Sequence, residues 1–277
     1  MIIDAHQHLW TADYAWLGDP ALDRIRRDYT VADLREAMKS AGVDRTVLVE
    51  AGRGDDAETT EFLALAGATP EIAAVVGWAS LTDPGLAATI ARHRAGPGGH
   101  LLAGIRDQVQ GEADEHLDRP DVRAGLAAVA AAGLINELVV RAPQLPSVAR
   151  AATALPESTF VLDHLGKPRV AAGEAGLREW RELVAPVAAR PNVVAKLSGL
   201  VAEADWATWT PADLRPFVLS AVELFGTDRL MFGSDWPVCE VAATYAQVKD
   251  AMIEALGGTP DDVFAGTAIR TYRLELT

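Results

Sequence analysis

The feature that most constrains this chain is an alternation repeated eight times: a short β-branched or apolar run, then a longer Ala- and Leu-rich segment with helical spacing. The short runs lie at Ile2–His8, Arg45–Glu50, Ile72–Trp78, His100–Arg106, Leu134–Arg141, Thr159–His164, Asn192–Ser198 and Arg229–Asp235. Their near-continuous apolar character suits parallel strands covered on both faces. Between them, Val31–Ala41 reads as a helix, with Thr30 as N-cap, Asp33 in its first turn and Gly42 past its end. Pro120–Ala132 opens on proline and stops at Gly133; Pro211–Phe225 runs from a Thr210 cap to Gly226. Alternating β and α units imply right-handed parallel crossovers. Eight of them predict an α/β fold, a closed (β/α)8 TIM barrel, with a doubly wound open sheet as the weaker alternative. The 277 residues suit one such domain over 1–277, since a barrel of this kind takes about 250. The segment after the first strand and Ser198–Thr210 are longer than their neighbours and are candidate rims.

Composition narrows the partners. Lys and Arg number 25 against 39 Asp and Glu, a formal charge of −14. That argues against nucleic acid and anionic membranes, which need clustered cations. Cys239 is the single cysteine, so no intrachain disulfide is expected, in keeping with a reducing cytoplasm. The opening MIIDAHQHLW has no basic region followed by a long apolar stretch, so no signal peptide is expected. No run of about 20 uncharged apolar residues predicts a membrane span.

In such a barrel the chemistry gathers at the C-terminal ends of the strands. Of six histidines, three fall there: His6 and His8 at the end of the first strand and His164 at the end of the sixth. Asp235 closes the eighth. Alternate strand residues share a face, so His6 and His8 project together into the mouth. Two imidazoles, a third and a carboxylate make a hydrolytic site that can also bind a divalent metal. A lone His-x-His pair is as readily a hydrogen-bonded core feature; the added His164 and Asp235 weigh against that.

The stretches IDAHQHLW, GVDRTVLVEAG, VVGWASL, GIRDQVQGE, VVRAPQLP, FVLDHLGKP, KLSGLVAEADW and LMFGSDWPV run nearly end to end. On them the chain resembles the sugar-lactonase and dicarboxylate-lactonase group of the amidohydrolase superfamily. The resemblance implies a carboxylic ester hydrolase that opens a lactone ring, such as L-fucono- or L-rhamnonolactone. It implies that Asp235 acts as general base on water and then as proton donor to the leaving alkoxide, with His6, His8 and His164 around it. It places Arg106 and Arg141 where substrate is contacted, although an Arg at a strand end can equally pair with a carboxylate. Glu50, Asp107 and Asn136-Glu137 depart from the group's usual Gln, His and aromatic-Asp; if they lie in the mouth they add negative charge there.

Dinuclear members bridge two metals through a lysine or glutamate after strand four or five, which Arg106-Asp107 and Val140-Arg141 do not supply. The expectation is therefore at most one divalent ion, zinc or manganese, on His6, His8, His164 and Asp235, or metal-independent catalysis. Trp78 and Trp236 are candidate stacking surfaces for a sugar, as are Trp10, Trp206 and Trp209. Trp16 and Trp180 read as packing or surface residues. Lys196 is a candidate substrate contact or an ion-pair partner of Glu203 or Asp163, with Ser198 facing the same way. Cys239 reads as a packed thiol. The expected partner is a small-molecule lactone, and a homo-oligomer is compatible. A metal-dependent decarboxylase and a non-catalytic sugar-acid binder are the alternatives.

Overall fold

The computed structural model describes residues 1–276. Eight strands form one sheet in sequence order: β1 (Ile3–Gln7), β2 (Arg45–Val49), β3 (Ile72–Gly77), β4 (Leu102–Asp107), β5 (Ile135–Leu138), β6 (Phe160–Leu162), β7 (Val193–Leu197) and β8 (Leu230–Phe232). Each neighbouring pair is parallel. The two ends of the sheet meet at the C-terminal rim. There Asp235 N–H donates to His6 O at 2.9 Å and His8 N–H to Trp236 O at 2.7 Å. The result is the expected (β/α)8 barrel.

One helix follows each strand: α1 (Val31–Ala41), α2 (Asp56–Gly67), α3 (Leu86–Ala95), α4 (Pro120–Ala131), α5 (Leu145–Ala154), α6 (Gly173–Ala188), α7 (Pro211–Phe225) and α8 (Tyr245–Leu256). The bounds of α1 and α7 are those read from their caps. Thr30 and Asp33 form a reciprocal capping box, and Gly42 leaves α1 at φ 64°. Among the described residues no helix is long and apolar enough to cross a membrane.

The strands are shorter at their C-terminal ends than the apolar runs suggest. β6 stops at Leu162 and β8 at Phe232, so His164 and Asp235 follow their strands instead of ending them. The reason is conformational: His164 has φ 52° and Asp235 φ 57°, left-handed values that no strand residue adopts.

Two apolar layers flank the sheet. Val47, Val49, Val76, Val161 and Met231 fill the barrel, joined by Tyr272 from the C-terminal segment. A larger cluster, including Leu48, Val75, Phe160 and Phe232, packs the sheet against the helices.

Register fixes the orientation of β1. Asp4 pairs with Thr46 but Gln7 pairs with Leu48, so β1 carries one residue more than β2 over this span. Such a bulge re-aims side chains next to a site. By strict alternation Asp4 and His6 would share a face. Instead Asp4 reaches Tyr245 of α8, while His6 points at Lys196 and Glu137 inside the barrel.

Asp4 is fully buried and joins the sheet's two ends. It accepts from Ser234 N–H at 2.8 Å, Ser234 Oγ at 2.5 Å, His6 N–H at 2.9 Å and Tyr245 OH. Burial raises its pKa while these donors lower it. Asp4→Ala would strand several buried donors at about 1–3 kcal/mol each. We expect urea denaturation to show a loss of at least about 3 kcal/mol; a loss below about 1 kcal/mol would mean that closure does not depend on Asp4.

Candidate active site

His6 and His8 stand at the C-terminal end of β1, and the loops after β6 and β8 bring His164 and Asp235 to the same point. Asp235 Oδ1 lies 3.7 Å from His6 Nε2, 3.6 Å from His8 Nε2 and 3.9 Å from His164 Nε2. The Nε2 atoms of His6 and His8 are 3.0 Å apart. All four residues are buried, at 0–5 % exposure, so the cluster forms a floor with only a narrow face to solvent.

The loops that carry His164 and Asp235 are held in a costly conformation. His164, Leu165, Lys167 and Asp235 are non-glycine residues at φ 52–57°, each costing about 1–2 kcal/mol relative to the right-handed region. Close backbone approach makes the placement unambiguous. A Cβ on Gly199, at φ 67°, would lie 2.6 Å from His164 Nδ1; one on Gly233 would lie 2.7 Å from the His6 Cβ. These glycines let β7 and β8 press against the two imidazoles.

Hydrogen bonds orient each ring. His8 Nδ1 faces Val49 O at 3.0 Å, so that nitrogen carries the proton and Nε2 presents its lone pair to the centre. His164 Nδ1 meets Ser198 Oγ at 2.8 Å. His6 Nδ1 sits over a buried charge network. Lys196 Nζ lies 3.0 Å from it, 2.6 Å from Glu137 Oε1 and 3.1 Å from Asp163 Oδ1. Tyr272 OH donates to Glu137 Oε2 at 2.6 Å. Arg106 continues the network, donating to Asp163 Oδ2 at 2.8 Å and to Glu50 Oε1 at 2.5 Å.

Electrostatics follow from this packing. Burial, with the Lys196 charge, holds His6 well below its usual pKa. Burial lowers His164 to about 4, against the pull of Asp235. Burial alone would raise Asp235, but the His164, His8 and His6 imidazoles hold its carboxyl well below the usual range. Asp163 is likewise held low, by Lys196 and His6 against its burial. Glu137 is pushed up to about 7 by burial and the adjacent Asp163. At neutral pH the centre therefore holds an ionised Asp235 beside neutral His6 and His164.

Above it opens a cleft of about 340 Å³ lined by His8, His164, Asp235 and Arg106 with Trp10, Trp16, Leu22, Gln108, Gln110 and Lys167. The segment after β1 forms one wall through two 3-10 turns, Ala15–Gly18 and Pro20–Ile25. Trp16 Nε1 pins it to Ala51 O at 2.8 Å, and Tyr14 OH to Glu58 at 2.9 Å. A second cavity, of about 400 Å³, adjoins the first and shares Gln110 and Lys167 with it. A hollow at the opposite end of the barrel, near Thr271–Glu275, contains none of the four central residues.

Several sequence expectations need correction. Lys196 and Trp236 are 0 % and 1 % exposed. Lys196 lies beneath His6, paired with Glu137 and Asp163 and not with Glu203. Trp236 packs between Tyr29 and Tyr245 and donates to Glu240. Neither reaches the cleft. Trp78 is outside the cleft lining, its backbone tied to Thr59. Arg141 lies in the adjoining cavity and donates to Gln110 O at 2.7 Å. Arg106 lines the cleft, but its guanidinium is committed to two carboxylates. Asp107 caps Leu81 and Gln108 backbone N–H groups, and Asn136 turns outward to Leu126 O. Glu50 is paired with Arg106 and Glu137 with Lys196, and both cations are shared with Asp163. Trp16, read as packing, lines the cleft, as do Gln108, Gln110 and Lys167. The GKP of the β6 loop was the available signal for Lys167.

The amidohydrolase family profile matches residues 3–274. An L-fucono-1,5-lactonase of Burkholderia multivorans is 39% identical over 98% of this chain and 96% of its own. One from Burkholderia ambifaria is 35% identical over 99% and 96%. The crystal structure of an amidohydrolase from Burkholderia multivorans with bound zinc superposes with a TM-score of 0.91 at 38% identity, covering 99% of this chain and 100% of that one.

Because the Gly199 Cβ position overlaps the His164 ring, Gly199→Ala should displace that imidazole while leaving the fold. We expect turnover to fall by at least about tenfold with an unchanged circular dichroism spectrum, 1.4 kcal/mol of misplacement being sufficient for that. Full turnover would show that His164 can move without loss.

Proposed function

The chain belongs to the amidohydrolase family, and from that premise we propose that it is a hydrolase opening the ester ring of a sugar lactone, L-fucono-1,5-lactone being the first candidate. One observation carries the reading: a single ionised carboxylate, Asp235, set within 4 Å of three imidazole Nε2 atoms at the floor of a cleft sized for one sugar ring. The curated relatives at 35–39% identity supply the substrate class.

In this reading water adds to the lactone carbonyl carbon as its proton passes to Asp235. The carbonyl oxygen gains negative charge, and the cleft's N–H groups and Lys167 stabilise it in the manner of an oxyanion hole. The tetrahedral adduct then collapses, the ring C–O bond breaks, and Asp235 returns the proton to the departing ring oxygen. The new carboxylic acid loses its own proton to solvent. Atoms balance without a covalent enzyme intermediate. The lowered pKa of Asp235 keeps it ionised at any ordinary working pH.

The donor set also fits one divalent metal. Two imidazole nitrogens and a carboxylate oxygen are ligands that zinc takes, and the His6, His8 and Asp235 donors lie 3.0, 3.7 and 3.6 Å apart, near the roughly 3.4 Å edge of a tetrahedron with 2.1 Å bonds; His164 groups instead with His6 and Asp163. Asp163 Oδ1 is buried without a hydrogen bond of good geometry and lies 3.2 Å from His6 Nδ1. It can accept the Nδ1 proton, freeing His6 Nε2 as a ligand. When bound, such an ion would supply Lewis-acid polarisation of the carbonyl. Lys196 Nζ, 3.0 Å from His6 Nδ1 and 3.1 Å from Asp163 Oδ1, already fills the space beneath His6 with a cation. Metal analysis of purified protein should give no more than one ion per chain, and chelation should lower activity little; two ions per chain would contradict this.

A pH-indicator assay over a panel of aldonolactones tests the reaction class, since ring opening releases acid. Asp235→Asn keeps the shape and an acceptor but cannot take the proton at neutral pH. We expect kcat to fall by roughly two to four orders of magnitude with KM little changed. Near-wild-type kcat in the folded variant would end the mechanism.

A further inference from the structure

We infer that Lys167 is the carboxylate-binding residue of this cleft: it receives the acid group of the ring-opened product, with the Gln110 side-chain amide as its place-holder when that group is absent. The inference rests on the lactonase reading above and adds a role to that site.

Charge bookkeeping over the cleft isolates this residue. Three charged side chains line it: Arg106, Asp235 and Lys167. Arg106 is neutralised at contact distance by Glu50 and Asp163. Asp235 is the ionised base. Lys167 makes no ion pair within 4 Å among the described residues; its Nζ donates to the neutral Gln110 Oε1 at 2.6 Å, and its charge acts at longer range on the Glu203 carboxyl across the adjoining cavity. A hydrogen bond to an amide oxygen is weaker than one to a carboxylate, so an acid ligand displaces Gln110 at little cost, whereas it could not displace Glu50 or Asp163 from Arg106.

The backbone supports the same assignment. Lys167 holds φ 55° in a four-residue span with His164 and Leu165, both also left-handed, and its N–H donates to His164 O at 2.9 Å. One strained turn thus fixes both an imidazole of the centre and the root of the lysine. Strain kept in a non-glycine residue at such a place marks a position over-determined by its surroundings. The Lys167–Gln110 contact also lies between the catalytic cleft and the adjoining cavity, since both residues line each. Parting the two would join the cavities, giving an acyclic acid, longer than the closed ring, a direction in which to extend.

A lactone is neutral and its product is an anion, so a free cation here discriminates product from substrate and gives product inhibition. The test compares two open-chain probes of nearly equal shape, L-fuconate and the neutral L-fucitol, as inhibitors of lactone opening and as ligands in titration calorimetry. Wild type should prefer the acid. In Lys167→Met we expect L-fuconate affinity to fall by about tenfold or more, the scale of one charge-assisted hydrogen bond, while L-fucitol changes by less than about twofold. Lys167→Arg should restore part of the preference, and Lys167→Gln should behave as Lys167→Met if the latter misfolds. Equal weakening of both probes, or an unchanged acid-to-polyol ratio, would overturn the assignment. Failure of the wild type to open any lactone would be seen before a variant is made and would strike the lactonase reading itself.

Discussion

The site depends on one buried ammonium. Lys196 is completely removed from water and touches Glu137, Asp163 and His6 Nδ1 at 2.6–3.1 Å. It hydrogen-bonds Glu137 and His6 and forms an ion pair with Asp163. A charge taken out of water is tolerated only when paired and fully hydrogen-bonded, so the positions of β5, β6, β7 and β1 are tied to one another through it. His6 Nδ1 faces both Lys196 Nζ and Asp163 Oδ1, and the His8 Nδ1 proton goes to Val49 O. Ring orientation in the mouth is thereby set from below, by groups no ligand touches.

Strain enters on the other side of the same arrangement. His164 and Asp235 stand on left-handed backbone just past β6 and β8, and both are met by immediate neighbours: Gly199 under the His164 ring, and the His6 carbonyl on the Asp235 N–H. Rigid strands below and short, over-determined turns above hold the four central side chains in fixed relative positions. The wall after β1 is anchored more lightly, by Trp16 on Ala51 and by Tyr14 on a Glu58 that burial and Glu50 push up to about 7.

The alternation of apolar runs with capped Ala/Leu segments made the barrel legible, because parallel strands and their covering helices each carry a local signature. The caps at Thr30 and Thr210 located α1 and α7 to the residue. His6, His8, His164 and Asp235 were legible as a group because strand ends are identifiable in sequence. The fate of the remaining charges was not. Lys196 and Arg106 at strand ends look alike as candidate substrate contacts; only the three-dimensional neighbours reveal that Glu137, Asp163 and Glu50 bind them. The bulge in β1 also has no local signal, since it is a mismatch of two strands rather than a property of one. Trp16 and Lys167 belong to loops whose course depends on the packing of the whole rim.

The indole rings of that rim have a practical consequence. Trp10 and Trp16 meet edge to face, with centroids 5.1 Å apart, and both line the cleft, Trp10 from a buried position, whereas Trp180 and Trp236 are buried away from it. Indole emission follows the polarity around the ring, so water leaving this cleft alters two emitters and leaves the sealed ones unchanged. The protein thus carries its own unlabelled optical gauge of occupancy, built from the same wall that shapes the opening.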